Sequence, residues 1–286
     1  MQDKDMTVLS YLEQCLPVPA SAIPLSSCQI LRPYLLERKG LSTQGTAFLF
    51  AVPYVLYKDV EDPHRNLSLY AVPRDYHGYF DELGEQLLPS LKRHFPAYEF
   101  ALFSDHSPIN EVNAAALCGL GVVGMNGLLL HKIYGSFVFL AEIVTNAPWE
   151  IATGLDASQI PTGEPPLCRG CGHCLHACPA KCLPYHREGC LSALTQKKGA
   201  LTPEEISRLA QHPLVWGCDA CQLVCPYNKL VIKKKTDTPI PYFREQRCVT
   251  LTEETLLDMS EQAFSQRAYA WRGKTVILRN LHIKNS

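Results

Sequence analysis

Cysteines dominate the chemistry open to this chain. Cys168, Cys171, Cys174 and Cys178 are spaced C-x2-C-x2-C-x3-C and followed by Pro179, the ligand run of bacterial ferredoxins. A cubane iron–sulfur cluster needs thiolates converging from four directions; two-residue gaps wrap a loop around one face, and the proline turns the chain away. A second group, Cys218-x2-Cys221-x3-Cys225-Pro226, has the same ending but lacks one leading cysteine, and Cys190 lies between the groups to supply it. The eight thiols suffice for two [4Fe–4S] clusters. In two-cluster proteins the fourth cysteine of a run serves the other cluster. That rule joins Cys168, Cys171 and Cys174 with Cys225, and Cys178 with Cys190, Cys218 and Cys221. Structural zinc also uses C-x2-C pairs, but a Cys-Pro ending repeated in two groups favours clusters. Cys182 is spaced wrongly for a ligand and reads as a buried thiol. Cys15, Cys28, Cys118 and Cys248 have no partner spacing.

Two adjacent clusters form a one-electron wire, which must end at an acceptor. About half the chain precedes the cysteine module, and its pattern reads as an α/β layer domain over residues 1–150. Thr46 to Val52 reads as a buried strand ended by Pro53. Asp75-Tyr76-His77 opens an amphipathic helix carrying Phe80, Leu83, Leu87, Leu88 and Leu91 and closing before Pro96. Tyr98 to Phe103 suggests a second strand, delivering Asp105 at its end. A short helix from Asn110 to Cys118 stops at Gly119. Leu128 to Leu130 and Phe137 to Val144 look like paired strands around Tyr134-Gly135. From Asn146 to Leu167 the chain is rich in proline and glycine and reads as a linker. The cluster module occupies residues 151–230, and a helical segment over 231–286, with an N-cap signal at Thr252-Glu253-Glu254, packs back on the core. Taken alone, Asp105 reads as a turn aspartate ahead of Pro108.

Composition narrows the function classes. The 286 residues carry 27 Lys+Arg against 28 Asp+Glu, a net charge of -1, which offers no long-range attraction to nucleic acid unless charge is clustered. The Lys233–Lys235 triplet reads as a solvated face. At 47% hydrophobic and 19% charged residues, disorder is excluded. No apolar run approaches the ~18 residues of a membrane span. The opening residues carry acids and no apolar h-region, so no signal peptide is expected. With 13 cysteines, an odd number, a reducing, cytoplasmic setting and a monomer are the expectations.

The chain resembles the epoxyqueuosine reductases, cobalamin and iron–sulfur enzymes of the last step of queuosine synthesis on tRNA, and their relatives the reductive dehalogenases. The likeness runs from about Tyr70 to Asn280. It is carried by Tyr70-Ala71-x2-Arg74-Asp75-Tyr76-His77, Asp105-x2-Pro108-x2-Glu111, Gly119-Leu120-Gly121-x2-Gly124, Gly135-Ser136-Phe137-x-Phe139-Leu140-x-Glu142-Ile143, Gly217-Cys218-Asp219-x-Cys221-Gln222-x2-Cys225-Pro226-x-Asn228 and Leu278-Arg279-Asn280. The resemblance implies an α+β fold, in which a flavin-reductase-like α/β cobalamin-binding domain precedes a ferredoxin-like double-cluster module and a short helical tail.

By the same resemblance, Asp105 is the proton donor above cobalt. Leu129, Leu140, Ile143, Ser192 and Asp219 line the corrin, and Ser68, Tyr70 and Arg74 lie near cofactor or substrate. The cluster of Cys178, Cys190, Cys218 and Cys221 is the one adjacent to cobalamin. Asp75-x-His77 begins a D-x-H-x-x-G cobalamin pattern, but Phe80 replaces its glycine, so a base-off corrinoid without a protein histidine ligand is expected. The implied reaction uses Co(I) cobalamin, fed by the clusters, to reduce the epoxide of epoxyqueuosine in tRNA to queuosine. That takes two electrons and two protons, with electrons from an external flavodoxin- or ferredoxin-type donor. A carboxyl beside an apolar corrin face would have its pKa raised by desolvation, as a general acid requires. Met125 stands where the family usually carries lysine, and the chain reads as a short form lacking the family's C-terminal helical-repeat domain. Two other readings stay open: a corrinoid reductase of a different, small substrate, and an iron–sulfur electron carrier with no chemistry of its own.

Overall fold

A computed structural model describes residues 6–184 and 189–285. Among these residues, Met1–Val52, Tyr79–Ile133 and Val138–Arg169 contribute to a first compact unit, and Pro53–Gly78, Tyr134–Phe137 and Gly170–Ser286 to a second. The fold is mixed α+β, as expected. Its domains differ from the three consecutive segments that the sequence suggests, because two stretches of the first half belong with the C-terminal half.

The first unit is built on a sheet of β1 (Ala20–Pro24), β2 (Thr46–Pro53), β3 (Phe100–Ser104) and β6 (Val138–Thr145), in the order β1-β2-β6-β3. Every residue of β2 is buried, because side chains alternate across the sheet and both faces are covered. Ala47, Leu49 and Ala51 join a core with Ala114, Ala115 and Ala116 of the helix Glu111–Leu117. From the other set, Phe50 meets Phe80 of the helix Tyr76–His94 edge-on, with ring centroids 6.1 Å apart. Burying one such ring contributes about 1.5–3 kcal/mol. β3 runs antiparallel to β6, with Phe103 opposite Glu142 and Ser104 opposite Ala141. The end of β3 therefore falls beside the middle of β6.

The strand pair expected around Tyr134-Gly135 does not form. β5 (Leu129–His131) pairs with β4 (Gly121–Val123) instead, while β6 joins the main sheet. The intervening Tyr134–Phe137 belongs to the second unit, where Asn228 captures it. The Ser136 N–H donates to Asn228 Oδ1 at 2.7 Å, and Asn228 Nδ2 donates back to Ser136 Oγ at 2.7 Å. Gly135 has φ 57, and a Cβ there would lie 2.0 Å from Asn228 Oδ1, so only glycine admits this approach. The expected linker is also structured. Within it the helix Trp149–Thr153 buries Trp149 and Ala152 in the first unit, and the Val123 N–H donates to Pro166 O at 2.8 Å.

The second unit is helical around Trp216 and Tyr269, which are fully buried. Leu67, Val72, Leu251, Phe264 and Ile277 complete that core. The Pro53–Gly78 stretch is stitched in by its backbone: Val215 N donates to Asn66 O at 2.7 Å and Ser68 N to Trp216 O at 2.8 Å. Asn280 is buried and donates to Thr195 O and Val215 O at 2.8 and 3.0 Å, so the closing helix Lys274–Asn285 is tied to the same core. Thr252 caps Glu253–Asp258 through a capping box with Thr255, as the N-cap signal suggests. Among the described residues no helix is long and apolar enough to cross a membrane.

Candidate metal centre and acid site

Four of the expected ligands come together in the second unit. Cys178, Cys190, Cys218 and Cys221 line one cavity, with Cys182 and apolar neighbours such as Leu183 and Leu191. Local structure explains their convergence. Cys178 caps the C-terminus of the helix His173–Ala177, and Cys190 caps the N-terminus of Leu191–Thr195. Cys221 lies on the short helix Ala220–Leu223, which packs against His173–Ala177. Cys218 follows Gly217, whose φ is 76 and where a Cβ would lie 2.3 Å from Ser68 Cβ; glycine is required to bring the loop this close.

This donor set suits a cubane: soft sulfur ligands around an apolar space and no competing carboxylate among the lining residues. As a free thiol, Cys218 is pushed up to about 11, chiefly by burial and then by the charges of Cys190, Asp219 and Cys178. Binding iron must therefore displace protons, so assembly should be favoured by raising the pH. Of the other expected set, Cys171, Cys174 and Cys225 belong to the second unit, with Cys225 capping the helix Pro226–Lys233. Cys168 closes the first unit, donating its N–H to Val123 O at 2.9 Å.

Asp219, expected to line a corrin, has its carboxylate engaged inside the second unit. It accepts from Arg65 Nη1 at 2.6 Å, from the Leu69 N–H at 3.0 Å and from Ser68 Oγ. Arg65 and Asp219 are both buried, with side chains 8% and 1% exposed. The pair clamps the 65–69 segment to the loop that carries Cys218 and Cys221. Arg65 escaped notice in the sequence because a single loop arginine has no periodic signature. Tyr70 and Ser192 are joined through Gln196, whose Nε2 donates to Tyr70 OH at 3.5 Å and to Ser192 Oγ at 3.4 Å. Arg74 is engaged elsewhere, its guanidinium 3.9 Å from the centre of the Tyr242 ring.

In the first unit, Leu129 is buried and Leu140 half-buried in the core of Ala47 and Leu49, and Ile143 is buried outside that cluster. β3 delivers Asp105, as expected, and places it on a tight turn in the left-handed region at φ 60. Aspartate tolerates this conformation better than most residues, and such strain is commonly kept at functional turns. The turn is braced from below: Arg32 Nη1 donates to Ser107 O at 2.9 Å, and Ser107 Oγ donates to Glu142 Oε1 at 2.5 Å.

Asp105 is exposed, so the desolvation expected for it is not supplied by this unit. The desolvated carboxyls are Glu111 and Glu142, which the sequence marks only as parts of matching segments. One signal was available: Glu142 interrupts an otherwise apolar strand. Burial pushes Glu142 well above the usual carboxylate range, and the charge of Glu111 adds to it. Glu111 is pushed up to about 8, first by burial and then by the charge of Asp105, against the opposing pull of Arg32.

A pH dependence follows. The ordinary glutamate value is 4.5, so between there and about 8 the folded chain keeps a proton that the unfolded chain has lost. Glu111 therefore favours the folded state fully below the lower value, and that contribution is lost as pH rises through the upper one. Glu111→Gln should flatten the fall in stability across this window. Denaturant midpoints at about pH 5 and pH 9 measure it; an unchanged slope would show that Glu111 is not the titrating group.

Comparison with known proteins fits this geometry. Residues 167–228 match the family model described as a 4Fe-4S double cluster binding domain. An epoxyqueuosine reductase of Lactococcus garvieae is 33% identical over 72% of this chain, a stretch that is 57% of that relative; the chain thus spans little more than half of that relative's length. Among solved structures, epoxyqueuosine reductase from Streptococcus thermophilus superposes with a TM-score of 0.72 at 20% identity, covering 96% of this chain and 79% of that one. An epoxyqueuosine reductase solved with an epoxyqueuosine-modified tRNA-Tyr stem loop gives 0.69 at 22% identity, covering 97% and 79%.

Proposed function

We infer that this chain, a relative of the epoxyqueuosine reductases in sequence and fold, is an oxidoreductase that reduces the epoxide of epoxyqueuosine in tRNA to the alkene of queuosine. In this reading it carries two [4Fe–4S] clusters and a base-off cobalamin without a protein histidine ligand. An external donor of the flavodoxin or ferredoxin class supplies its electrons. The observation that carries the reading is the meeting of Cys178, Cys190, Cys218 and Cys221 at one cavity, inside the segment that matches the double-cluster family. Support for the substrate comes from the relative solved with a modified stem loop.

When bound, the clusters and corrinoid supply the two electrons that the deoxygenation needs. The chain supplies the rest. Cys178, Cys190, Cys218 and Cys221 would hold one cluster, and by the cross-over rule Cys168, Cys171, Cys174 and Cys225 would hold the other. The Arg65–Asp219 clamp fixes the loop of Cys218 and Cys221 so that ligands need not be ordered when iron arrives. Asp105, presented on its turn, gives a proton to the departing epoxide oxygen, which would otherwise leave as a poor alkoxide. By the family resemblance Leu129, Leu140, Ile143, Ser68, Tyr70, Arg74 and Ser192 would contact the corrinoid, while the Asp219 carboxylate serves the clamp.

Anaerobic reconstitution tests the cofactor assignment. Metal analysis should find about eight irons per chain and, after incubation with cobalamin, one cobalt with visible corrinoid bands. Zinc in place of iron would remove the reading, and full iron without corrinoid would leave an electron carrier.

A further inference from the structure

We propose that Cys182 is a fifth, exchangeable thiol ligand of the second cluster site, able to take over the iron corner otherwise held by Cys178. This rests on the reading that Cys178, Cys190, Cys218 and Cys221 hold a cluster. The spacing of the ferredoxin run leaves Cys182 out, yet it lines the same cavity as the other four thiols.

The backbone brings it there. The Lys181 N–H donates to Cys178 O at 3.1 Å, closing a four-residue turn. Lys181 itself lies in the left-handed region, at φ 51. The chain is thereby folded back, and Cys182 Sγ lies 3.5 Å from Cys178 Sγ. Both residues are buried, 3% and 6% exposed, so neither thiol is directed to bulk solvent.

The separation identifies which corner they share. Two thiolates on one tetrahedral metal ion, at metal–sulfur bonds of ~2.3 Å, stand ~3.8 Å apart. Thiolates on different corners of a cube point away from one another and stand further apart. At 3.5 Å, Cys178 and Cys182 are spaced as two sulfurs that can serve one iron in turn. Exchange there needs no oxidant. Cys182 gives up its proton as its sulfur bonds iron, the Cys178 sulfur takes one as its bond breaks, and charge and electron count are unchanged. A cysteine serving only as a small apolar filler would not rescue a site that had lost Cys178.

The test uses the full chain, reconstituted without oxygen, as wild type, Cys178→Ala, Cys182→Ala and the double variant. Iron and sulfide counts and the electron paramagnetic resonance of the reduced protein are the readouts. Wild type and Cys182→Ala should hold equal iron. Cys178→Ala should keep at least about nine tenths of it, with the signal of one cluster shifted by the new ligand, and the double variant should lose about half, one cluster of two. Cys178→Ala falling to the level of the double variant overturns the proposal. Wild type holding no more iron than the double variant overturns the cluster reading beneath it as well. Circular dichroism confirms folding; should Cys178→Ala not fold, Cys178→Val, which also lacks a ligand atom, carries the same comparison.

Discussion

Asp105→Asn should lower the rate of epoxide reduction at least about a hundredfold while leaving iron and cobalt content unchanged. A positioned general acid contributes typically 10²–10⁴-fold, so the barrier should rise by about 2.7 kcal/mol or more. Asparagine is the informative replacement because it tolerates the left-handed turn at φ 60 as aspartate does. It keeps the shape and removes the proton. Alanine at the same place would add backbone strain and confuse the two effects. The measurement is a single-turnover rate with fully reduced, cofactor-loaded protein, which separates proton delivery from electron supply. A rate within a few fold of wild type would take the acid role away from Asp105 and direct attention to Glu111, whose carboxyl keeps its proton up to about pH 8.

The second large effect is on stability. Asp219→Ala leaves the Arg65 guanidinium, whose side chain is 8% exposed, buried beside a vacated partner. It also strips the Leu69 N–H and Ser68 Oγ of their acceptor. Breaking a buried pair from one side costs about 3–5 kcal/mol, enough to lower Tm by roughly 10 °C at about 2–4 °C per kcal/mol. Because Asp219 sits between Cys218 and the helix of Cys221, iron loading of the second site should fall with it. Converting the pair together, Asp219→Leu with Arg65→Met, should recover the part of the loss due to the stranded Arg65 charge, while the Leu69 N–H and Ser68 Oγ still lack their acceptor. Apoprotein of Asp219→Ala that melts like wild type and loses only cobalamin affinity would make Asp219 a cofactor contact and not the clamp described above.

Local patterns were legible in the sequence, and long-range partnerships were not. The continuous apolar run of β2 and the spacing of Phe80, Leu87 and Leu91 declare a buried strand and a one-sided helix without any knowledge of neighbours. The cysteine spacing is legible for the same reason: a cluster imposes its geometry on short loops. β5 and β6 read as a hairpin because nothing nearby reveals that Asn228, far along the chain, captures Ser136. Proline-rich residues 146–167 read as a linker because composition does not show that Trp149 is buried. Within the site, spacing set Cys182 aside, while a turn with a left-handed Lys181 brings it to the cavity. Glu111 and Glu142 stood in view as motif letters, but their raised protonation depends on burial, which only the folded chain displays.

Removal of an oxygen atom from a tRNA epoxide is the reaction proposed for this chain. It is tested most directly by mass spectrometry of an anticodon stem loop carrying epoxyqueuosine, incubated without oxygen with reconstituted protein and a strong reductant. A product lighter by one oxygen should form, and only when clusters and cobalamin are both present. An unchanged stem loop, from protein shown to carry its full iron and cobalt, would contradict it.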